Sequence, residues 1–168
     1  MKATSLRSND DDIQALATRL GELALRRQVM LATAESCTGG LVAGAITDIA
    51  GSSGWFERGF VTYSNRAKIE QLSVDPEIIA RHGAVSEETV KAMAQGALVA
   101  SGVQWTVAVT GVAGPAGGSP GKPVGTVWFA WAGPRGVEAL PRRLDGDRAA
   151  VRSASVAIAL QGLIDRLV

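Results

Sequence analysis

The sequence Ala34-Glu35-Ser36-Cys37-Thr38-Gly39-Gly40 places a hydroxyl between the end of an apolar run and the start of a helical one. Such a position suits a nucleophile, because nearby backbone N–H groups can hold an anion or the oxyanion of an acyl-transfer intermediate. It equally suits a helix cap made by Ser36 or Thr38. Gly39 and Gly40 let the backbone approach a ligand closely. The pattern is not the G-x-S-x-G elbow, because Ala34 stands where the first glycine would be.

A serine nucleophile needs a base. The chain has one histidine, His82, in Arg81-His82-Gly83, which reads as a helix end where a cation complements the dipole. Lysine is the usual substitute, and there are four: Lys2, Lys68, Lys91 and Lys122. Lys68 follows Phe60-Val61-Thr62-Tyr63-Ser64-Asn65, at the passage from a strand to a helix. It acts as a base only if burial or a nearby cation lowers its pKa. The alternative is an exposed helix charge, and for Tyr63 it is a half-buried strand tyrosine. Cys37 reads as a small buried hydrophobe, because neighbours on a strand face opposite sides and no histidine partner is at hand.

Two further segments could bind a ligand. Residues 111–121 form a Gly/Pro-rich loop that fails the Walker pattern, since Ala116 and Pro123 stand where Gly and Ser/Thr are required. It is either a glycine-lined cradle or a plain loop. Gly146-Asp147-Arg148 with Arg152 puts two arginines at i, i+4 on one helix face. They could grip a phosphate, or pair with Asp145, Asp147 or Glu138.

The elements that must carry these residues follow from periodicity. Ile13, Leu16, Leu20, Leu23 and Ala24 predict a helix to about Arg27, capped by the acids at 10–12. Strands are expected over 29–34, 60–63, 105–110 and 124–131, with 137–144 the antiparallel partner of the last. Helices are expected over 41–49, 65–72, 76–83 and 86–102, and a last one is capped by Asp147. This alternation argues an α/β class: a three-layer α/β/α sandwich with a mixed, mostly parallel sheet. Ligands then sit beyond the carboxyl ends of strands. The turns after 29–34 and 105–110 become the two walls of one site, with Thr110 and Gly111 on the second. The aromatic strand at 128–131 is expected to be exposed and to serve an interface.

Composition narrows the classes. The 168 residues are 46% hydrophobic and 20% charged, which excludes general disorder. Lys+Arg 17 against Asp+Glu 16 leaves a net charge of +1, so no broad basic field exists for nucleic acid. One cysteine excludes an internal disulfide and disfavours a thiolate metal site. No apolar signal core or membrane-length run is visible, so a cytoplasmic protein is expected. Twenty glycines, about 12% of the chain, have no Gly-X-Y period and belong to turns and close approaches. The expected organisation is a flexible extension over 1–11 and one domain over 12–168.

Taken in order, several motifs resemble one family. They are Ala34-Glu35-Ser36-Cys37-Thr38-Gly39-Gly40, Gly59-Phe60-Val61-Thr62-Tyr63-Ser64-Asn65 with Lys68, and His82-Gly83-Ala84-Val85-Ser86. Thr110-Gly111-Val112-Ala113-Gly114-Pro115, Lys122-Pro123-Val124-Gly125-Thr126-Val127 and Gly146-Asp147-Arg148 with Val151-Arg152 complete the set. The chain resembles the C-terminal domain of the CinA (competence/damage-inducible) family in its stand-alone, nicotinamide-nucleotide-amidohydrolase form. The resemblance covers roughly 12–168. It implies a metal-independent serine amidohydrolase with no cofactor. Its reaction would convert nicotinamide mononucleotide to nicotinate mononucleotide and ammonia in pyridine-nucleotide recycling.

By resemblance, Ser36 is the nucleophile and Lys68, with Tyr63, the proton carrier. Backbone N–H groups around Thr38, Gly39 and Gly40 hold the oxyanion. Thr110 and Gly111 line the nucleotide pocket, and Arg148 or Arg152 takes the phosphate. A homo-oligomer, dimer or larger, is implied, without nucleic acid or membrane partners. The family's N-terminal molybdopterin-binding-like domain has no counterpart in this stretch, so its metal-dependent pyrophosphatase activity is expected to be absent. The rival readings are a non-catalytic nucleotide-binding module and a hydrolase of another small amide or ester.

Overall fold

A computed structural model describes residues 4–168, with side chains described from residue 10 onward. Five strands form one sheet: β1 (Leu31–Glu35), β2 (Phe56–Val61), β3 (Trp105–Gly111), β4 (Thr126–Gly133) and β5 (Gly136–Arg143). Their spatial order is β2-β1-β3-β4-β5. β1 pairs parallel to β2 and β3, whereas β4 runs antiparallel to both β3 and β5. The helices are α1 (Thr4–Arg27), α2 (Leu41–Thr47), α3 (Asn65–Leu72), α4 (Pro76–His82), α5 (Glu87–Ser101) and α6 (Arg148–Leu167).

Alternation along β1 explains the layers. Leu31 joins a core shared with α1, α2 and α6, and Ala34 joins a second core shared with α4 and α5. The sheet is thus covered on both faces, as the alternation of elements predicts. Local chemistry sets the helix ends. Ser64, Asp75, Ser86 and Asp147 side chains cap α3, α4, α5 and α6 by accepting a backbone N–H.

Three expectations are corrected. The helix expected to start near the acids at 10–12 begins at Thr4, because residues 4–9 contain no glycine or proline to break it. Of the expected extension, residues 4–11 are therefore helical, and residues 1–3 lie outside the described ones. The second strand runs over Phe56–Val61 rather than 60–63. Its pairing starts at Leu31 with Phe56, and an edge strand tolerates the charged Glu57 and Arg58.

The aromatic strand is not an exposed interface. Phe129 and Trp131 are buried under α6, their rings stack at 6.0 Å, and Trp131 Nε1 donates to Ala159 O at 3.1 Å. β4 is an inner strand, so its large side chains fill the core.

Candidate active site

The site lies where β1 and β3 end side by side. The Ser36 N–H donates to Val109 O at 2.9 Å, which carries the register one residue past β1. The chain then turns sharply through Cys37, Thr38, Gly39 and Gly40. Gly39 and Gly40 adopt φ of +58° and +100°, a left-handed region that side chains disfavour. Gly39 N–H donates back to Ser36 O at 3.0 Å, and Leu41 N–H to Thr38 O at 3.0 Å.

The first N–H groups of α2 are taken. Glu35, 1% exposed, accepts from Val42 N at 2.8 Å and Ala43 N at 3.0 Å. The helix start is therefore satisfied by a carboxylate and offers no free anion site. Neither Ser36 nor Thr38 caps α2, whose N-cap is Gly40. Glu35 is a residue that sequence reasoning missed. Its signal was a charged residue closing an otherwise apolar strand, just before a helix start.

Lys68 reaches Ser36. Its Nζ donates to Ser36 Oγ at 3.0 Å, to Thr62 O at 2.8 Å and to Tyr63 O at 3.2 Å. Ser36 Oγ in turn lies 3.4 Å from Tyr63 O. Lys68 is only 1% exposed, and no carboxylate lies within ion-pair distance of it among the described residues. Burial lowers its pKa from 10.5 to about 8. The Ser64 cap of α3 produces this geometry: it starts the helix at Asn65, two residues after Tyr63, and turns Lys68 back under the strand end.

Around this pair is a pocket of ≈220 Å³, bordered by Ser36, Tyr63, Lys68, Thr110, Gly111 and Arg148 among others. It continues, past the shared Ala113 and Arg148, into a wider cleft of ≈640 Å³ beside Pro115, Val124 and Asp147. Six of the residues expected from sequence thus meet in one place. The Thr110 hydroxyl donates to Ala84 O at 2.9 Å, tying the α4–α5 connection to the wall. Gly111 is needed for strand packing, because a Cβ there would lie 2.8 Å from Thr126 O.

The other expected residues have different surroundings. Tyr63 is 62% exposed, and its hydroxyl accepts from Arg148 at 3.2 Å, while only its carbonyl meets Ser36 and Lys68. Thr38 is wholly buried, and neither Gly39 nor Gly40 borders the pocket. Arg148 donates to Gly114 O at 2.9 Å, and Arg152 donates to Cys37 O and Thr38 O. Neither arginine pairs with Asp145, Asp147 or Glu138; Arg166 takes Glu138. Cys37 borders the same pocket as Ser36, because β1 ends at Glu35 and strand alternation no longer applies. Burial pushes its thiol up to about 11, so it stays protonated at neutral pH. His82 lies at the end of α4 beside Glu88, away from the pocket. Among the described residues, no three His, Cys, Asp or Glu side chains converge as a metal site would require.

This arrangement can activate a hydroxyl beside a cleft that narrows toward it. The model of the CinA C-terminal domain matches residues 13–167. The nicotinamide-nucleotide amidohydrolase PncC of Pseudomonas putida is 56% identical over 154 residues, covering 92% of this chain and 96% of that protein. The protein of the same name from Escherichia coli K12 is 54% identical, covering 92% and 94%. Among solved structures, the competence/damage inducible protein CihA of Agrobacterium tumefaciens superposes with a TM-score of 0.89 at 49% identity, covering 92% and 94%.

Proposed function

Because the chain belongs to the CinA C-terminal domain family, we propose that it is an amidohydrolase that converts nicotinamide mononucleotide to nicotinate mononucleotide and ammonia. Relatives named for that activity, more than half identical over nearly their whole length, support the substrate. The observation that carries the mechanism is the buried 3.0 Å contact between Lys68 Nζ and Ser36 Oγ at the wall of the pocket.

Neutral Lys68 takes the Ser36 proton as Oγ attacks the carboxamide carbon. The tetrahedral oxyanion is held by the backbone N–H of Cys37, the residue of the turn that borders the pocket, which has no backbone partner among the described residues. Lys68 then returns its proton to the departing nitrogen, which leaves as ammonia. A water, deprotonated by Lys68, attacks the Ser36 ester, and Oγ recovers the proton as the carboxylate leaves. No step uses a metal. Tyr63 contributes its carbonyl to the amine and its hydroxyl to Arg148. Arg148, at the junction of pocket and cleft, takes the phosphate.

A phosphorylated nucleotide does not cross membranes unaided, which supports a cytoplasmic place of action. No described helix is long and apolar enough to span a membrane. Homo-oligomerisation belongs to the same proposal and rests on the family; light scattering tests it. The function is tested by incubating the protein with nicotinamide mononucleotide in EDTA and assaying ammonia. Stoichiometric, EDTA-insensitive release is expected. Binding without release contradicts the proposal and favours the non-catalytic module.

A further inference from the structure

Arg152 does not sit as a phosphate ligand would. Its guanidinium faces the backbone of the nucleophile turn, with Nε 3.1 Å from Cys37 O and Nη2 3.3 Å from Thr38 O. The buried Val151 and Ser155 flank it on α6, so the base of the side chain is anchored in the fold. Gly39 leaves room for it: a Cβ there would lie 3.3 Å from Nη2.

The consequence concerns the opposite ends of those peptide groups. In a trans peptide the C=O and N–H point in opposite directions. The unpartnered Cys37 N–H belongs to the peptide whose carbonyl, Ser36 O, is held by Gly39 N–H at 3.0 Å. The unpartnered Thr38 N–H belongs to the peptide whose carbonyl, Cys37 O, is held by Arg152. Each free donor therefore sits on a peptide plane locked from behind.

We propose that Arg152 is a positioning residue for the transition state: by holding the carbonyls of Cys37 and Thr38 it fixes the turn, so that Ser36 Oγ and the Cys37 N–H, whose residues border the pocket, stay placed for attack and for the oxyanion. This rests on the amidohydrolase reading and divides the two arginines by role. Arg148 meets the phosphate, and Arg152, although it borders the cleft, has its guanidinium on the backbone of the turn.

The test compares kcat and KM for nicotinamide mononucleotide and for its dephosphorylated nucleoside, nicotinamide riboside. Arg152→Gln is expected to lower kcat about 10–100-fold on both substrates, in the range of a weakened oxyanion donor, with KM within about twofold. Arg152→Lys keeps the charge but not the fork and recovers part of the loss. Arg148→Ala should instead raise KM for the nucleotide alone. A rise in nucleotide KM in Arg152→Gln, with kcat and the nucleoside unaffected, overturns the inference and makes Arg152 the phosphate ligand. A second readout needs no substrate: the rate at which a fluorophosphonate, whose P=O occupies the oxyanion position, labels Ser36. That rate should fall by a similar factor in Arg152→Gln. Unchanged labelling overturns the positioning role even if the wild-type chain deamidates nothing, an outcome that would count against the proposed substrate instead.

Discussion

An amine buried without a carboxylate is held against its own solvation. For Lys68, two carbonyls and one hydroxyl accept from its Nζ, which helps the ammonium, but burial outweighs them and favours the neutral form. Its pKa of about 8 raises the neutral fraction at pH 7 by a factor of about 300 over an ordinary lysine. Activity should accordingly climb with pH and level off above about 8, as a kcat/KM profile will show. A profile flat from pH 6 to 9 would contradict Lys68 as the base. Stability carries the same sign. The folded state binds fewer protons than the unfolded one between about 8 and 10.5, so the burial penalty is full below about 8 and fades as pH rises to 10.5. Lys68→Met should therefore abolish turnover while raising Tm at pH 7, and a lowered Tm would contradict this reading. Ser36, Lys68 and Arg148 were legible as residues, since few hydroxyls, lysines and arginine pairs stood at element ends. Their partners were not, because a backbone carbonyl such as Thr62 O has no residue type to read.

At the scale of elements, α2 and its preceding turn form one device. Glu35 satisfies the start of α2, Gly39 and Gly40 permit the turn, and Ser36 is left facing the pocket. Glu35→Ala strands the buried Val42 N–H and the part-buried Ala43 N–H, at about 1–3 kcal/mol. For a domain of this size that is a Tm fall of roughly 2–12 °C, and Glu35→Gln, which keeps one acceptor, should lose less. Thermal unfolding followed by circular dichroism reads both. A loss below half a degree in Glu35→Ala would show that the cap contributes nothing. Sequence patterning located α4, α5 and α6 well, because Pro76, Ser86 and Asp147 mark their starts, whereas α1 begins ahead of the acids expected to cap it. It misplaced β2, because Glu57, Arg58 and Gly59 do not alternate as a half-buried strand should, and edge pairing with β1 decides that element. It also took residues 128–131 for a surface, since a run of large aromatics looks the same on an inner strand and on an exposed one until the strand order is known.

The whole molecule holds the two walls of the site through α6. That helix brings Arg148 to the pocket and Arg152 to the adjoining cleft at one end, and packs Gly162 on Trp131 toward the other. A Cβ at Gly162 would lie 2.1 Å from the Trp131 ring, so Gly162→Ala must move helix or indole. The expected cost is about 1–3 kcal/mol, seen as a lower denaturation midpoint in urea, with KM for the nucleotide raised as α6 shifts. An unchanged midpoint would mean that the helix is free to move. At this scale the near-balanced charge is consistent with the proposed chemistry: one small anion needs placed guanidinium groups, not a basic surface.

The central claim is that Ser36 and Lys68 act as one nucleophile–base pair. Its most direct measurement is ammonia release from nicotinamide mononucleotide by the Ser36→Ala and Lys68→Ala proteins beside the wild-type chain. The predicted result is loss of release in each variant by a similar, orders-of-magnitude factor, because residues that act as a unit fail together. Undiminished release by Ser36→Ala would contradict it.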